Sequence, residues 1–236
     1  MSRPLSARLE TVLERLEGPL RGHGGPDGGG RPGVAGRLHR PLFAHLPAGG
    51  IVEACGATGT GAQSTFAAGA VLAVQRQGEC VAWVEAAPGA VFAPDLAEWG
   101  IDLDALPFVR PAPGRGRAWA APLLRAAEIL LRSGAFGLVV TDLRRPGGDR
   151  CAPVVAPAAA ARLFALARKH ASRVLLLTDK AADAPSLGPV VGLRILPRRL
   201  RHAPGVFAVE SSIVRNKIGL PRNAPAAFCR GPWGCF

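Results

Sequence analysis

The chain has 236 residues, 48% hydrophobic and 19% charged, which suits a single core-bearing domain with a small appendage. Its formal net charge of +12 and pI near 11.2 make a polyanion or an acidic protein the expected partner, with nucleic acid first. No segment reaches bilayer length, no apolar signal run opens the chain, and Cys55, Cys80, Cys151, Cys229 and Cys235 form no C-x-x-C. These features argue against a membrane protein, a zinc site or a disulfide framework, and for reduced cysteines in the cytoplasm.

Residues 1–17 predict a short amphipathic helix: Leu5, Leu9, Val12, Leu13 and Leu16 recur at helical spacing, with Arg8, Glu10, Glu14 and Arg15 on other faces. Residues 18–46 are rich in Gly and Pro and read as a flexible linker. The helix is thus tethered, free either to fold back or to dock on another chain. A third region, 47–236, holds the core, basic C-terminal strands and a tail.

The apolar run 51–54 predicts a strand. After it, Gly56, Gly59 and Gly61 lie in a glycine loop, and residues 63–77 read as a helix. A strand, a glycine loop and a helix N-terminus form the context that cradles phosphate with backbone N–H groups. The spacing matches G-x-x-x-x-G-K-[ST], but Ala62 stands in the lysine position and Gln63 in that of the magnesium-binding Ser/Thr. The loop is kept while its charge-neutralising chemistry is lost.

Further strands are expected at 80–85, 107–110, 137–142 and 173–178, with helices at 94–99, 117–133 and 157–170. Strand–helix alternation and nearly continuous apolar runs indicate an α/β fold with a doubly wound, mostly parallel sheet. The strand at 137–142 ends in Asp142, the place where an ATPase holds magnesium. Arg144, Arg145 and Arg150 follow in a short basic segment, suited either to phosphate contact or to a solvated turn.

Residues 190–196 and 206–210 read as antiparallel strands joined by a basic turn. Arg194, Arg198, Arg199, Arg201, Arg215 and Lys217 form the densest positive cluster, and several of them are expected to share one edge where the strands pair. Nucleic-acid phosphate, an acidic partner and a solvated face are all compatible with it. The tail beyond Phe228 carries Trp233 and Phe236 and is apolar enough to pack on the domain or enter a partner. No nucleophile–base pair or metal spacing appears among the histidines and serines, so neither catalytic residues nor a metal are expected.

Several stretches together resemble RecA across residues 51–228. They are the Gly50-Ile-Val-Glu-Ala-Cys-Gly56 entry, the segments 73–78 and 80–85, Leu96 to Leu106, the Arg132-Ser-Gly-Ala approach to the Asp142 strand, and Val214 to Pro221. The resemblance implies a RecA-like core, a central mostly parallel β-sheet flanked by helices. It also implies that RecA's catalytic glutamate falls near Ala87, with Glu85 two residues early, and its glutamine sensor near Asp179. With the lysine position taken by Ala62, three catalytic roles are missing together. ATP hydrolysis is not expected, and no cofactor beyond weak residual nucleotide binding by the loop backbone. The two RecA DNA loops would fall at 143–150 and at the short segment 180–187.

The leading helix, linker, lysine-free core and short C-terminal extension are most similar to the ImuA family, accessories of damage-induced error-prone translesion synthesis. That resemblance implies as partners RecA, ImuB and an error-prone polymerase complex, with single-stranded DNA as a further candidate. It also implies that Leu5, Leu9, Val12, Leu13 and Leu16 imitate the helix by which RecA protomers dock, capping or dissociating a filament. The alternatives are a SulA-like inhibitor of cell division acting on FtsZ, a non-enzymatic DNA-binding module, and an ATPase with an unusual site.

Overall fold

A computed structural model describes residues 46–56, 62–86, 91–112, 114–145, 153–203, 206–220 and 226–230. The helix of residues 1–17, the linker up to residue 45, Gly59, Gly61, Arg150 and residues 231–236 lie outside the described residues.

Among the described residues eight strands form one sheet: β1 (Ile51–Cys55), β2 (Val81–Val84), β3 (Phe108–Val109), β4 (Leu138–Asp142), β5 (Arg173–Thr178), β6 (Val191–Ala203), β7 (Val206–Asn216) and β8 (Ala227–Arg230). Their order is β3-β2-β4-β5-β1-β6-β7-β8. Pairing is parallel from β3 through β6 and antiparallel for β6–β7 and β7–β8. The helices are α1 (Ala62–Gln75), α2 (Ala93–Glu98), α3 (Ala121–Ser133) and α4 (Pro157–Lys169). The expected α/β class and mostly parallel sheet are therefore present. Among the described residues no helix is long and apolar enough to cross a membrane.

The parallel centre forms because β1, β2 and β4 are buried at every position, as is β5 after Arg173. Side-chain alternation sends Val52, Ala54, Trp83, Val140 and Leu177 to one face, where they pack with Phe66, Val71 and Leu72 of α1. The Ala-rich α1 has ten of its fourteen residues buried and lies close to the sheet through small side chains. On α3, Leu123, Leu124, Ala127 and Leu131 form one apolar stripe, and α3 and α4 pack on each other and against β4 and β5 respectively. Pro122 opens α3, and Gly134 at φ 71° ends it, returning its N–H to the Leu131 carbonyl at 3.1 Å.

The basic stretch expected as a turn is strand instead. β6 runs on through Arg198, Arg199 and Arg201, paired with β7 as far as Ala203↔Val206. The start of the tail is strand as well: residues 227–230 pair with β7 as β8.

Candidate functional site

β5 lies between β1 and β4, with β2 beyond β4. The strands are parallel, so their C-terminal ends bring together Gly56, Glu85, Asp142 and Asp179 from four separate connections. This edge of an open α/β sheet is where ligands are normally bound.

At the glycine loop, Ala62 is fully buried and Gln63 is 1% exposed, so neither projects into solvent at the start of α1. The Gln63 amide folds over the loop entrance. A Cβ on Gly56 would lie 2.5 Å from Gln63 Nε2, so any larger residue there would require the amide to move. The same Nε2 points at the Thr178 carbonyl, a long contact of 3.5 Å. Gln63, in the position expected of a magnesium-binding hydroxyl, instead lies beside Gly56 and reaches toward the end of β5.

Asp142 is taken by Arg144. The guanidinium donates from Nε to Asp142 Oδ1 at 2.8 Å and from Nη2 to Oδ2 at 2.5 Å, while the Arg144 N–H reaches Oδ1 at 3.0 Å. Nη2 also donates to Ser64 Oγ in the first turn of α1, at 2.8 Å. A fork-to-carboxylate pair of this geometry is among the strongest polar contacts a protein makes. Burial opposes the Arg144 charge, but the Asp142 carboxylate outweighs it, so Arg144 holds its proton more firmly than a free arginine. Arg144, for which phosphate contact or a solvated turn was expected, has a side chain 17% exposed and engaged with Asp142 and Ser64. Arg144 thus supplies, from within the chain, positive charge between the Asp142 carboxylate and the helix N-terminus. Arg145 is half-buried beside it and Arg150 lies outside the described residues.

Two further carboxylates act on Arg144. Glu85 is 1% exposed and accepts Arg110 Nε at 2.7 Å, while its Oε2 has no hydrogen-bond partner. Burial pushes the Glu85 carboxyl up, with Arg110 working against it. Burial likewise raises Asp179, with Arg144 pulling it down and Asp142 pushing it up. A triphosphate entering this edge would meet these carboxylates and an arginine whose fork is already engaged. Among the described residues no cluster of three or more metal-ligating side chains forms.

On the opposite face of the sheet lies a buried ion pair. Glu53 Oε1 accepts Thr178 Oγ1 at 3.1 Å, and Oε2 accepts the Leu187 N–H at 3.1 Å. Arg194 Nε is 3.5 Å from Glu53 Oε2. Its Nη atoms donate to the carbonyls of Ala181 and Ala182, both at 2.9 Å, and of Ala184. Arg194, expected to contact an anion on the surface, is 3% exposed and pins the segment after β5 onto the sheet. That segment is the second place where the RecA resemblance would put a DNA loop.

The remaining basic residues divide between faces. Arg199 and Arg201 stand opposite Val209 and Phe207, and Arg199 lies over the Phe207 ring at 5.0 Å. Arg198 points the other way, opposite Glu210. Arg198, Arg199, Arg201, Arg215 and Lys217 are all exposed. Arg215 donates to Ser186 Oγ at 2.8 Å, and Lys217 Nζ to the Pro189 carbonyl. The basic residues of the hairpin therefore divide between its two faces, because successive strand residues alternate.

Sequence reasoning passed over Glu53 and Glu128. A carboxylate inside an apolar strand signals a buried partner, and Arg125-x-x-Glu128-x-x-x-Arg132 has the i,i+3 and i,i+4 spacing of helix ion pairs. No family model matches the chain, and no curated protein matches it.

Proposed function

We propose that the protein is a catalytically degenerate RecA-like accessory of damage-induced translesion DNA synthesis, similar to the ImuA family, that acts by binding RecA and mutasome partners and hydrolyses no ATP. The observation that carries this reading is the Arg144 fork on Asp142, closed onto Ser64. In an active phosphate site the strand-end carboxylate must be open to magnesium and the loop must present a lysine. Here the carboxylate is occupied by the chain itself and the lysine position is the buried Ala62. The placement of Gly56, at the end of β1, and of Asp142, at the end of β4, on either side of β5 supports descent from a nucleotide-binding sheet. On this reading the scaffold is kept for its surfaces and holds itself shut without nucleotide.

The test is binding of the purified chain to RecA on single-stranded DNA, with ATP hydrolysis recorded in the same sample and a variant lacking residues 1–17 as control. Helix-dependent binding with a fall in RecA's hydrolysis is expected. Absence of binding, or turnover of ATP by the chain alone, overturns the reading. A second reading, a non-enzymatic DNA-binding module, is favoured by the exposed Arg198, Arg199 and Arg201 on the β6–β7 hairpin. It predicts DNA affinity that falls steeply with salt and no protein partner.

A further inference from the structure

The groove between α3 and α4 lies away from the Arg144 site and has its own chemistry. Its volume is about 370 Å³, within the range of binding clefts. Ala121, Leu124 and Val154 provide apolar lining, and Arg117, Arg125 and Arg162 bring three guanidinium groups to it. Val154 is 53% exposed, an uncovered apolar side chain at this position.

Beneath the arginines is one carboxylate. Glu128 is buried and accepts Arg125 Nη1 at 3.0 Å, Arg132 Nη2 at 2.7 Å and Arg162 Nε at 3.1 Å. Burial alone would raise this carboxyl, but Arg162, Arg125 and Arg132 hold it below its ordinary range. It is therefore ionised at neutral pH. Three guanidiniums around one carboxylate leave a local excess of two positive charges, and Arg117 adds a third.

The arginines are anchored but not consumed. Each has five N–H donors and spends one on Glu128. Their side chains remain 61%, 62% and 53% exposed for Arg125, Arg132 and Arg162, so the guanidinium groups stay within reach of a ligand. Glu128 fixes their positions in advance, which lowers the entropy lost when an anion arrives. Ile129, 57% exposed, lies on α3 between Arg125 and Arg132, an apolar side chain flanked by two cations.

We propose that this groove binds an acidic segment of a partner protein, seating an apolar side chain against Leu124 and Val154 while its carboxylates pair with Arg117, Arg125 and Arg162. The concave apolar lining distinguishes this occupant from a nucleic-acid backbone, which offers phosphates but no apolar side chain to fill it. A second copy of this chain is disfavoured by charge, since each carries +12. The proposal does not depend on the RecA-like reading.

The probe is a short fluorescein-labelled peptide of Asp, Glu and Leu, titrated with the full chain and followed by anisotropy at low and high salt. Arg125→Ser with Arg162→Ser keeps Arg132 on Glu128. Ala159→Glu places a carboxylate in the groove at a half-buried site; circular dichroism checks that both variants fold. Binding is expected to weaken by about tenfold or more in each variant, on the order of 1.4 kcal/mol. It is expected to be unchanged by Arg198→Ala, Arg199→Ala and Arg201→Ala together. Equal affinity in wild type and both groove variants overturns the proposal. So does a peptide lacking Leu that binds equally well, or polythymidylate that displaces the peptide from the groove at lower concentration than unlabelled peptide does, which would assign the groove to nucleic acid.

Discussion

Replacing Arg144 by Ala tests whether the strand-end carboxylate is truly neutralised from within. The change removes two side-chain donors from Asp142 and one from Ser64, and leaves the backbone N–H of residue 144 on Oδ1. Side-chain exposures of 3% for Asp142 and 17% for Arg144 mean that solvent does little to screen the pair. Breaking a buried pair by removing one partner costs about 3–5 kcal/mol, because a buried charge is left alone. The surviving backbone bond places this case near the lower end, about 3 kcal/mol. For a chain of this size that corresponds to a fall in Tm of roughly 6–12 °C. Urea unfolding followed by the fluorescence of the buried Trp83 and Trp119 reads the change directly. Adding Asp142→Asn should recover part of the loss, with a coupling of about 1–3 kcal/mol in the double-mutant cycle. An Arg144→Ala variant within about 0.5 kcal/mol of wild type, a typical surface effect, would refute the argument.

Arg194→Met should destabilise by about 3–5 kcal/mol, since it leaves Glu53 buried without its cation. Limited proteolysis should then cut first within 180–187, the segment Arg194 holds; unchanged cleavage there would count against the pinning role. For Glu85 the pH dependence follows from its raised carboxyl pKa, caused first by burial. Its stabilising contribution is complete below the unfolded value of about 4.3 and is lost as pH rises through the higher native value. The Tm difference Glu85→Gln minus wild type should therefore grow from about pH 4 to about pH 7, and a shrinking difference would refute the assignment. Substituting Arg198, Arg199 and Arg201 by Ala should flatten the salt dependence of any single-stranded DNA binding, by about 0.7 in the log–log slope for each phosphate no longer neutralised. An unaltered slope would take the hairpin out of the DNA reading.

The parallel centre was legible because burial on both faces demands unbroken apolar runs. The strand expected at 173–178 coincides with β5, and that at 51–54 is one residue short of β1. The hairpin was obscured by the opposite condition. Beyond Ile195, β6 leaves β1 and pairs with β7 alone, so Arg198 to Arg201 need no apolar alternation and resemble a turn. The inward turn of Arg144 was hidden for another reason. Its chain neighbours Arg145, Pro146 and Gly147 suggest an exposed turn, while the partner Ser64 that draws it inward is 80 residues away. For Arg194, β6 is covered on both faces where it runs beside β1, so Leu193, Arg194 and Ile195 are buried in succession, which simple alternation does not anticipate.

The length of β6 has a consequence for motion. Five of its residues, Val191 to Ile195, run alongside β1, and the rest extend past the parallel strands with β7 as an arm. Amide protons in β1, β4 and β5 should exchange with solvent only on global opening, whereas those of the arm need only a local opening that leaves the sheet centre intact. The molecule would then fray from one side on a faster clock than its interior, and a partner gripping the arm would slow that exchange without altering the rest.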